Sequence, residues 1–253
     1  MNGRAASVRY LERAIGALRA LADAEGRTPG GPIERAARLV AEAVGSGRLV
    51  HVFGSGHSHI LAEEAFFRAG GILGVDPILE TALMLHEGAR KSTSMERLSG
   101  YARVIAEDRE FEPGDVLIVA SNSGRNAVPV ELAQEAKRLG LKVIAITSVA
   151  HSAATPSRAP SGLRLFEVAD VVVDNLAPLG DACLEVQGLD RPVGPLSTVT
   201  GAAILNAVMV RAIELLAARG SPPSVIPSAN LQPADGEPDP VVRLPSRRGL
   251  RHL

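Results

Sequence analysis

Short aliphatic runs alternate along this chain with segments of helical periodicity, and this alternation constrains the fold more than any other feature. The runs are typical of strands buried on both faces, and they lie at residues 49–53, 116–120, 143–147 and 171–174, with a weaker run at 71–75. The helical patterns lie at residues 32–44, 59–69, 127–139 and 198–218. Strands that alternate with helices join through right-handed crossovers into a parallel sheet. The sequence therefore predicts an α/β fold, a three-layer αβα sandwich with a mainly parallel five-stranded sheet.

The two ends of the chain differ from this alternating middle. Near the start, leucine and isoleucine recur at helical spacing between residues 4 and 25, and a Gly-rich linker follows. Past residue 220 the chain carries seven prolines and little periodicity, which indicates an extended or disordered tail. We expect an N-terminal helix and linker over residues 1–31, one α/β domain over 32–220 and a Pro-rich tail over 221–253.

Composition excludes several classes of partner. The net charge is −1, tryptophan is absent, and there are only two tyrosines and five phenylalanines. The chain therefore offers neither a basic surface nor an aromatic stacking platform, and we expect no nucleic-acid partner. The single cysteine, Cys183, cannot form an internal disulfide, which fits a reducing compartment. Its apolar neighbours predict a small buried side chain and not a nucleophile.

No segment has the pattern of a leader or a membrane span. Arginines occupy the first residues, where a signal peptide needs an apolar run. The longest apolar stretch, residues 201–218, is interrupted by Asn206, Arg211 and Glu214, and this pattern predicts a buried helix. We expect a cytoplasmic protein with no membrane association.

Two loops that follow predicted strands are rich in glycine, serine and asparagine. The first is Gly54-Ser55-Gly56-His57-Ser58-His59, and the second is Ser121-Asn122-Ser123-Gly124-Arg125-Asn126. In an open α/β sheet such loops meet at the carboxyl ends of the strands, where ligands bind. Glycines let the backbone approach a ligand, while exposed N–H groups and hydroxyls favour an anion. Either loop alone would be read as a turn, but the pair predicts a phosphate site.

These loops do not fit nucleotide-binding motifs. After Gly54 and Gly56, the position where a dinucleotide fingerprint needs a third small residue holds His59. The chain also has no Gly-Lys-Ser/Thr sequence of a Walker A loop.

Three segments together resemble the SIS (sugar isomerase) family. Ser121-x-Ser123-Gly124 between a strand and a helix is similar to its phosphosugar signature, and residues 54–58 are similar to its first Gly/Ser loop. Residues 194–200, which open the last long helix, are similar to its Ser-Thr segment. The resemblance covers about residues 32–218 and is greatest to stand-alone SIS proteins described as phosphoheptose isomerases. It implies an αβα fold, a phosphosugar ligand and a homodimer, or a dimer of dimers, with sites near the interface.

The resemblance also implies roles for particular residues. The first loop contributes Ser55 and Ser58. The second loop contributes the remaining phosphate contacts, from Ser121, Ser123, Asn126 and the amides of Asn122 and Gly124. Ser197 and Thr198 would contact the sugar. Asn126 stands where the family usually has threonine, and Arg68 stands about where heptose-phosphate isomerases have a glutamate.

Isomerisation of an aldose phosphate to a ketose phosphate moves a proton between C2 and C1, so it needs a base and a proton shuttle. The candidates on the predicted strand-end loops are Glu87 or Glu64 as base and His86 or His57 as shuttle. Glu64 also lies where an acid would simply favour a helix N-terminus, and loop charges are usually solvated.

We expect neither a metal nor another cofactor. His57, His59, His86 and Glu87 could ligate zinc, but their spacing matches no strong motif and no cysteine lies near them.

Three functions stay open at this stage. The first is a phosphosugar isomerase. The second is a non-catalytic phosphosugar sensor, which would need a protein partner because the chain has no helix-turn-helix. The third is a lyase of a phosphosugar ether, which would begin with the same proton abstraction as the isomerase.

Overall fold

The computed structural model of the chain describes residues 4–228 and residue 230. The α-helices are α1 (Ala6–Arg27), α2 (Pro32–Gly45), α3 (Ile60–Ala65), α4 (Ala89–Met95), α5 (Tyr101–Asp108), α6 (Ala127–Arg138), α7 (Val149–Ala153), α8 (Leu165–Val168) and α9 (Ser197–Ala218). The strands are β1 (Val50–Gly54), β2 (Val75–Ile78), β3 (Val116–Ala120), β4 (Lys142–Thr147), β5 (Val171–Asp174), β6 (Ala182–Leu184) and β7 (Val193–Pro195). Short 3-10 turns cover Gly56–His59 and Thr81–Leu83.

Five parallel strands form the central sheet in the order β2-β1-β3-β4-β5. The predicted αβα fold with a parallel sheet is confirmed. From β1 the chain moves to one side to make β2 and then returns to the other side for β3, so the strand order reverses between β1 and β3. Ligands bind at such a switch point, beyond the carboxyl ends of the strands. Strands β6 and β7 form a separate antiparallel pair.

Each face of the sheet is covered by its own helical layer, because successive side chains of a buried strand point to opposite faces. One apolar cluster joins Val52, Ile118 and their neighbours to α2, α3 and α9. The other joins Leu117, Val119 and their neighbours to α5, α6 and α8. Among the described helices, α9 alone is long and apolar enough to cross a membrane, with a mean hydropathy of 1.6. In this fold α9 buries one face against the sheet, including Ile204 and Val208, and leaves Val210 exposed.

Two elements differ from their predicted positions. The second strand was expected at residues 71–75, but it runs from Val75 to Ile78. Gly74 has a φ of 124°, a value that favours glycine, so the chain turns there before entering the strand. Asp76 interrupts the apolar pattern, and Pro77 is tolerated because β2 is an edge strand. The helix expected at 59–69 is shorter, since α3 ends at Ala65.

A buried polar cluster links the amino-terminal halves of β1, β2 and β3. His51 Nδ1 lies 3.0 Å from Asp76 Oδ2, and His51 Nε2 lies 3.3 Å from Asp115 Oδ2. Arg109 adds a guanidinium nitrogen 3.6 Å from Asp76 Oδ2. Burial lowers the pKa of His51, but the hydrogen bonds to Asp115 and Asp76 outweigh it, and the net shift is upward. Both ring nitrogens of His51 thus face carboxylate oxygens, an arrangement that favours the imidazolium form.

The first residues of the predicted tail are ordered along the sheet. Val225 pairs with Ile72 in an antiparallel bridge, and Ile226 is buried. The Leu73 N–H donates to the Ser224 carbonyl. Residue 229 and residues 231–253 lie outside the described part of the chain, and so does most of the predicted Pro-rich tail.

Candidate functional site

A small polar cleft lies beyond the carboxyl ends of the central strands, at the switch point. Its polar lining comes from three separate segments of the chain: Ser58 after β1, Ser121 and Asn122 after β3, and Ser197 and Thr198 at the start of α9. Asn175, directly after β5, completes the polar wall. The fold thus brings together five residues that the resemblance had nominated from distant parts of the sequence. The cleft offers hydroxyl and amide groups and no carboxylate.

The first loop folds tightly back on strand β1. A Cβ atom added to Gly54 would lie 2.2 Å from the Ser58 carbonyl oxygen, a distance that only glycine allows. Gly56 has a φ of 57°, in the left-handed region. Among the described residues, the Ser58 hydroxyl has no protein partner, so it is free to donate to a ligand.

The second loop is closed by its own hydrogen bonds. The Gly124 N–H donates to Ser121 Oγ at 3.2 Å, and the Asn122 side chain accepts from Asn175 Nδ2 at 3.0 Å. Gly124 has a φ of 57° and packs against Ser152 and Thr147. The loop therefore has a fixed shape. Ser123 is half-buried in the same turn.

Glu96, at the end of α4, ties the two loops together. Its carboxylate accepts hydrogen bonds from Ser55 Oγ and from Asn126 Nδ2, both at 2.8 Å. The side chains of Ser55 and Asn126 therefore donate to a protein carboxylate, and Glu96 connects the first loop to the second.

Three arginines gather beside the second loop. Arg158 donates to Asn126 Oδ1 at 3.0 Å, and its backbone N–H donates to the Arg125 carbonyl. The pKa of the Arg158 guanidinium lies below its ordinary value, first because nearby protein atoms displace part of its water and next because Arg125 and Arg97 lie close to it. Arg125 Nε is buried without a partner in the described part of the chain. This cluster repels itself and would be relieved by an anion.

The start of α9 is fixed by Asp181. Its Oδ1 accepts from the Leu196 and Ser197 N–H groups at 3.0 and 2.7 Å, and its Oδ2 accepts from Ser197 Oγ at 2.7 Å. An acidic side chain at this position caps the helix and satisfies its free N–H groups.

His151, on α7, lies in the electrostatic field of Arg125 and Asp181. Burial lowers its pKa, Asp181 acts in the opposite direction, and Arg125 lowers it further. The net shift of the pKa is downward and favours the neutral form of the imidazole. Its Nδ1 is buried and has no partner among the described residues.

The four predicted acid–base residues lie around the cleft but do not line it. Glu87 is exposed and pairs with Lys91, and hydrogen bonds to Lys91 and Thr81 lower its pKa. Glu64 accepts from Asn206 Nδ2 at 3.0 Å and lies 3.3 Å from Arg68. His57 and His86 are exposed. Cys183 is half-buried, and burial raises the pKa of its thiol, which agrees with a residue that is not a nucleophile.

Two of the four side chains that the sequence offered as zinc ligands, His59 and His86, come together with Glu63, which was not among them. His59, Glu63 and His86 each place a side-chain donor atom within 4.8 Å of the others. The rings of His59 and His86 meet edge to face, with their centroids 5.2 Å apart. His59 is the neighbour of Ser58, so the cluster lies beside the cleft.

Several residues near the cleft were not predicted from the sequence. Glu96, Arg158, Asp181 and His151 lie in segments without a recognisable motif, and each reaches the site only through the packing of the whole fold. The single available signal was position, since Asp181 comes after a glycine and before the Ser-Thr segment.

Comparison with known proteins agrees with this architecture. The family model described as SIS domain matches residues 9–148, which include both Gly/Ser loops. The chain belongs to the SIS domain family. Among curated relatives, it is 46% identical over 203 residues to a UPF0309 protein of Geobacillus thermodenitrificans, covering 80% of this chain and 82% of that protein. It is 44% identical over 210 residues to a UPF0309 protein of Listeria monocytogenes, covering 83% and 85%.

Solved structures share the fold at low sequence identity. A phosphoheptose isomerase from Francisella tularensis aligns with a TM-score of 0.52 and 18% identity, covering 81% of this chain and 94% of that one. The phosphoheptose isomerase of Neisseria gonorrhoeae aligns with a TM-score of 0.51 and 17% identity, covering 85% and 100%.

Proposed function

We propose that the cleft binds the phosphate of a phosphorylated sugar and that the protein interconverts an aldose phosphate and a ketose phosphate. The observation that carries the proposal is the convergence of Ser58, Ser121 and Ser197 on one cleft at the switch point. Neutral hydroxyl and amide donors bind a phosphate dianion without the desolvation cost of burying a second charge. The arginines beside the second loop add a favourable field for an anion.

The donors divide the ligand between two walls. The loops after β1 and β3 present serine hydroxyls and backbone N–H groups, which suit the phosphate. Ser197 and Thr198, at the start of α9, suit the sugar hydroxyls. Asp181 holds Ser197 in place. The resemblance implied direct phosphate contacts from Ser55 and Asn126 as well, whereas in this proposal both act through Glu96, which accepts a hydrogen bond from each.

A homodimer is part of the proposal. Aliphatic side chains of α1 and α9 face solvent, among them Leu11 and Ile15 on α1 and Val199 and Val210 on α9. The two helices contact each other, so these side chains favour a shared contact surface. Because α9 begins at the cleft, a partner on this surface would lie near the site.

A proton NMR experiment in D2O tests binding and reaction together. The protein is mixed with a panel of hexose, hexosamine, pentose and heptose phosphates, and loss of the C2–H signal reports proton abstraction. Ser58→Ala should weaken binding roughly 10- to 100-fold, because a hydrogen bond to a charged group contributes about 1.5–3 kcal/mol. Ser46→Ala, on the surface after α2, should behave like the wild type.

Each outcome of this panel decides a different point. Line broadening without exchange would overturn the isomerase and leave a phosphosugar sensor. Silence across the panel would overturn phosphosugar binding itself. Loss of C2–H followed by release of a second product, without the ketose phosphate, would identify the lyase.

Neither His151 nor Glu87 lines the cleft, but His151 has the pKa shift better suited to a base, and we propose it in place of Glu87 as the group that accepts the proton. A neutral imidazole is ready to act as a base, whereas a carboxylate paired with Lys91 is a weak one. His151→Asn should lower kcat by about 100-fold or more, while Glu87→Gln should change it little. If His151 is the base, wild-type kcat should fall when the imidazole becomes protonated. Because its pKa is lowered, we expect this fall at a pH below 6.5, the ordinary pKa of histidine. A large loss of kcat in Glu87→Gln, without a loss in His151→Asn, would return the role of base to Glu87, in the segment after β2.

A further inference from the structure

We propose that His59, Glu63 and His86 form a binding site for a divalent transition-metal ion, with zinc as the best match. Two imidazoles and one carboxylate form a known ligand set for zinc. The inference is independent of the proposed function, because it concerns the ion and these three side chains alone.

The hydrogen bonding of His59 fixes which nitrogen is available. Its Nδ1 faces the Gly56 carbonyl oxygen at hydrogen-bonding distance. Because a carbonyl can only accept, Nδ1 carries the proton, and Nε2 carries the lone pair when the ring is neutral. Histidines that bind metals usually donate their second ring N–H to such an oxygen, which orients the ring. The loop that forms the cleft therefore also prepares His59 as a ligand.

The available nitrogen faces a carboxylate. His59 Nε2 lies 3.5 Å from Glu63 Oε1, and His59 is buried. A lone pair and a carboxylate oxygen repel each other unless a proton or a metal ion lies between them. In a tetrahedral zinc site, ligand atoms at about 2.1 Å from the metal are about 3.4 Å apart. The separation of these two atoms already fits that geometry.

His86 supplies the third ligand after a small adjustment. The donor atoms of the cluster lie within 4.8 Å of one another, so His86 has to close by roughly an ångström to reach a zinc–nitrogen distance of about 2.1 Å. Its side chain is exposed, so a rotation costs little. Three protein ligands leave one position open to water or to a ligand oxygen, as in zinc sites that bind substrates. The site borders Ser58, so that position would point to the edge of the cleft.

Zinc titration of the metal-free full chain tests the proposal without any sugar. After dialysis against a chelator, the protein is titrated with Zn²⁺ in competition with a chromophoric chelator, and Co²⁺ is added separately to record its visible spectrum. We expect one ion per chain and the absorption of tetrahedral cobalt. Glu63→Gln and His86→Asn should each weaken zinc binding by at least about tenfold. Both side chains are exposed, so these variants should fold normally, as checked by thermal unfolding.

His57→Asn is the matched control, since it removes an exposed histidine of the same loop that is not in the cluster. It should leave zinc affinity unchanged, and zinc should raise its unfolding temperature as in the wild type. Absence of zinc binding by the wild-type protein would overturn the proposal. Equal loss in His57→Asn and His86→Asn would overturn the assignment of these ligands. Neither result would affect the NMR panel, so the two proposals fail separately.

Discussion

Replacement of His51 with leucine is expected to destabilise the protein by about 3–5 kcal/mol, because it removes the cation from a buried ion cluster. Asp76 and Asp115 would be left facing each other across an apolar side chain, with Arg109 beside Asp76 and two backbone N–H groups on Asp115 as their remaining partners among the described residues. Urea unfolding followed by circular dichroism measures the change in the free energy of unfolding.

An exposed ion pair provides the comparison. Arg103 and Glu107 pair on the surface of α5, and Arg103→Ala should leave the free energy of unfolding almost unchanged, because solvent screens exposed ion pairs. If His51→Leu were as mild as Arg103→Ala, the cluster would not be an ion cluster.

The pH dependence of the same measurement tests the charge of His51. Its pKa is raised above the ordinary 6.5, so its contribution to stability is fully present below about that pH and is lost as the pH rises through the raised value. Burial raises the pKa of Asp115, but its hydrogen bonds to His51 and to two backbone N–H groups outweigh this and lower it below the ordinary 3.8. Its contribution is present above that pH and is lost as the pH falls. The difference in the free energy of unfolding between the wild type and His51→Leu should therefore be largest between about pH 4 and 6.5.

Gly54→Ala is expected to be the second large effect. The added Cβ would lie 2.2 and 2.3 Å from the carbonyl oxygen and carbon of Ser58, which are backbone atoms and cannot rotate away. The loop would have to open, at a cost of about 3 kcal/mol in stability, the upper part of the range for overpacking. Ser58 would move by about an ångström, and such a displacement can reduce activity about 100-fold.

The control for Gly54→Ala is Gly26→Ala. Gly26 is in α1 and has open space around its Cα, so alanine there should stabilise the protein by up to about 1 kcal/mol. Urea unfolding gives both stabilities, and isothermal titration with the sugar phosphate found in the NMR panel gives the affinity. Wild-type stability in Gly54→Ala would show that the loop tolerates an open conformation.

Much of the fold could be predicted because its information is local. Aliphatic residues dominate the buried strands β1, β3, β4 and β5, and α2, α6 and α9 have clear helical periodicity. Strand β2 was displaced because it contains Asp76, whose burial depends on His51 from another strand. No local pattern shows that an aspartate will meet a buried cation.

The residues of the candidate site also differ in whether local sequence could predict them. Ser58, Ser121 and Ser197 could be named from sequence because glycines and helix starts mark their loops. Glu96 and Arg158 could not, since each acts on a loop far away in the chain. The proposed base was the hardest to predict, because the pKa of His151 depends on its burial and on Arg125, which only the folded protein brings close.

The carboxylate of Glu96 has a consequence for how this site can change during evolution. Ser55, Glu96 and Asn126 are joined by hydrogen bonds, and Arg158 binds the other side of Asn126. Substitution of any one of these residues leaves a charge or a polar group without its partner, which lowers stability. A second substitution that removes the unpaired group would restore part of that loss. These positions form one inherited unit. A lineage that alters the two Gly/Ser loops of this protein would have to replace these residues together.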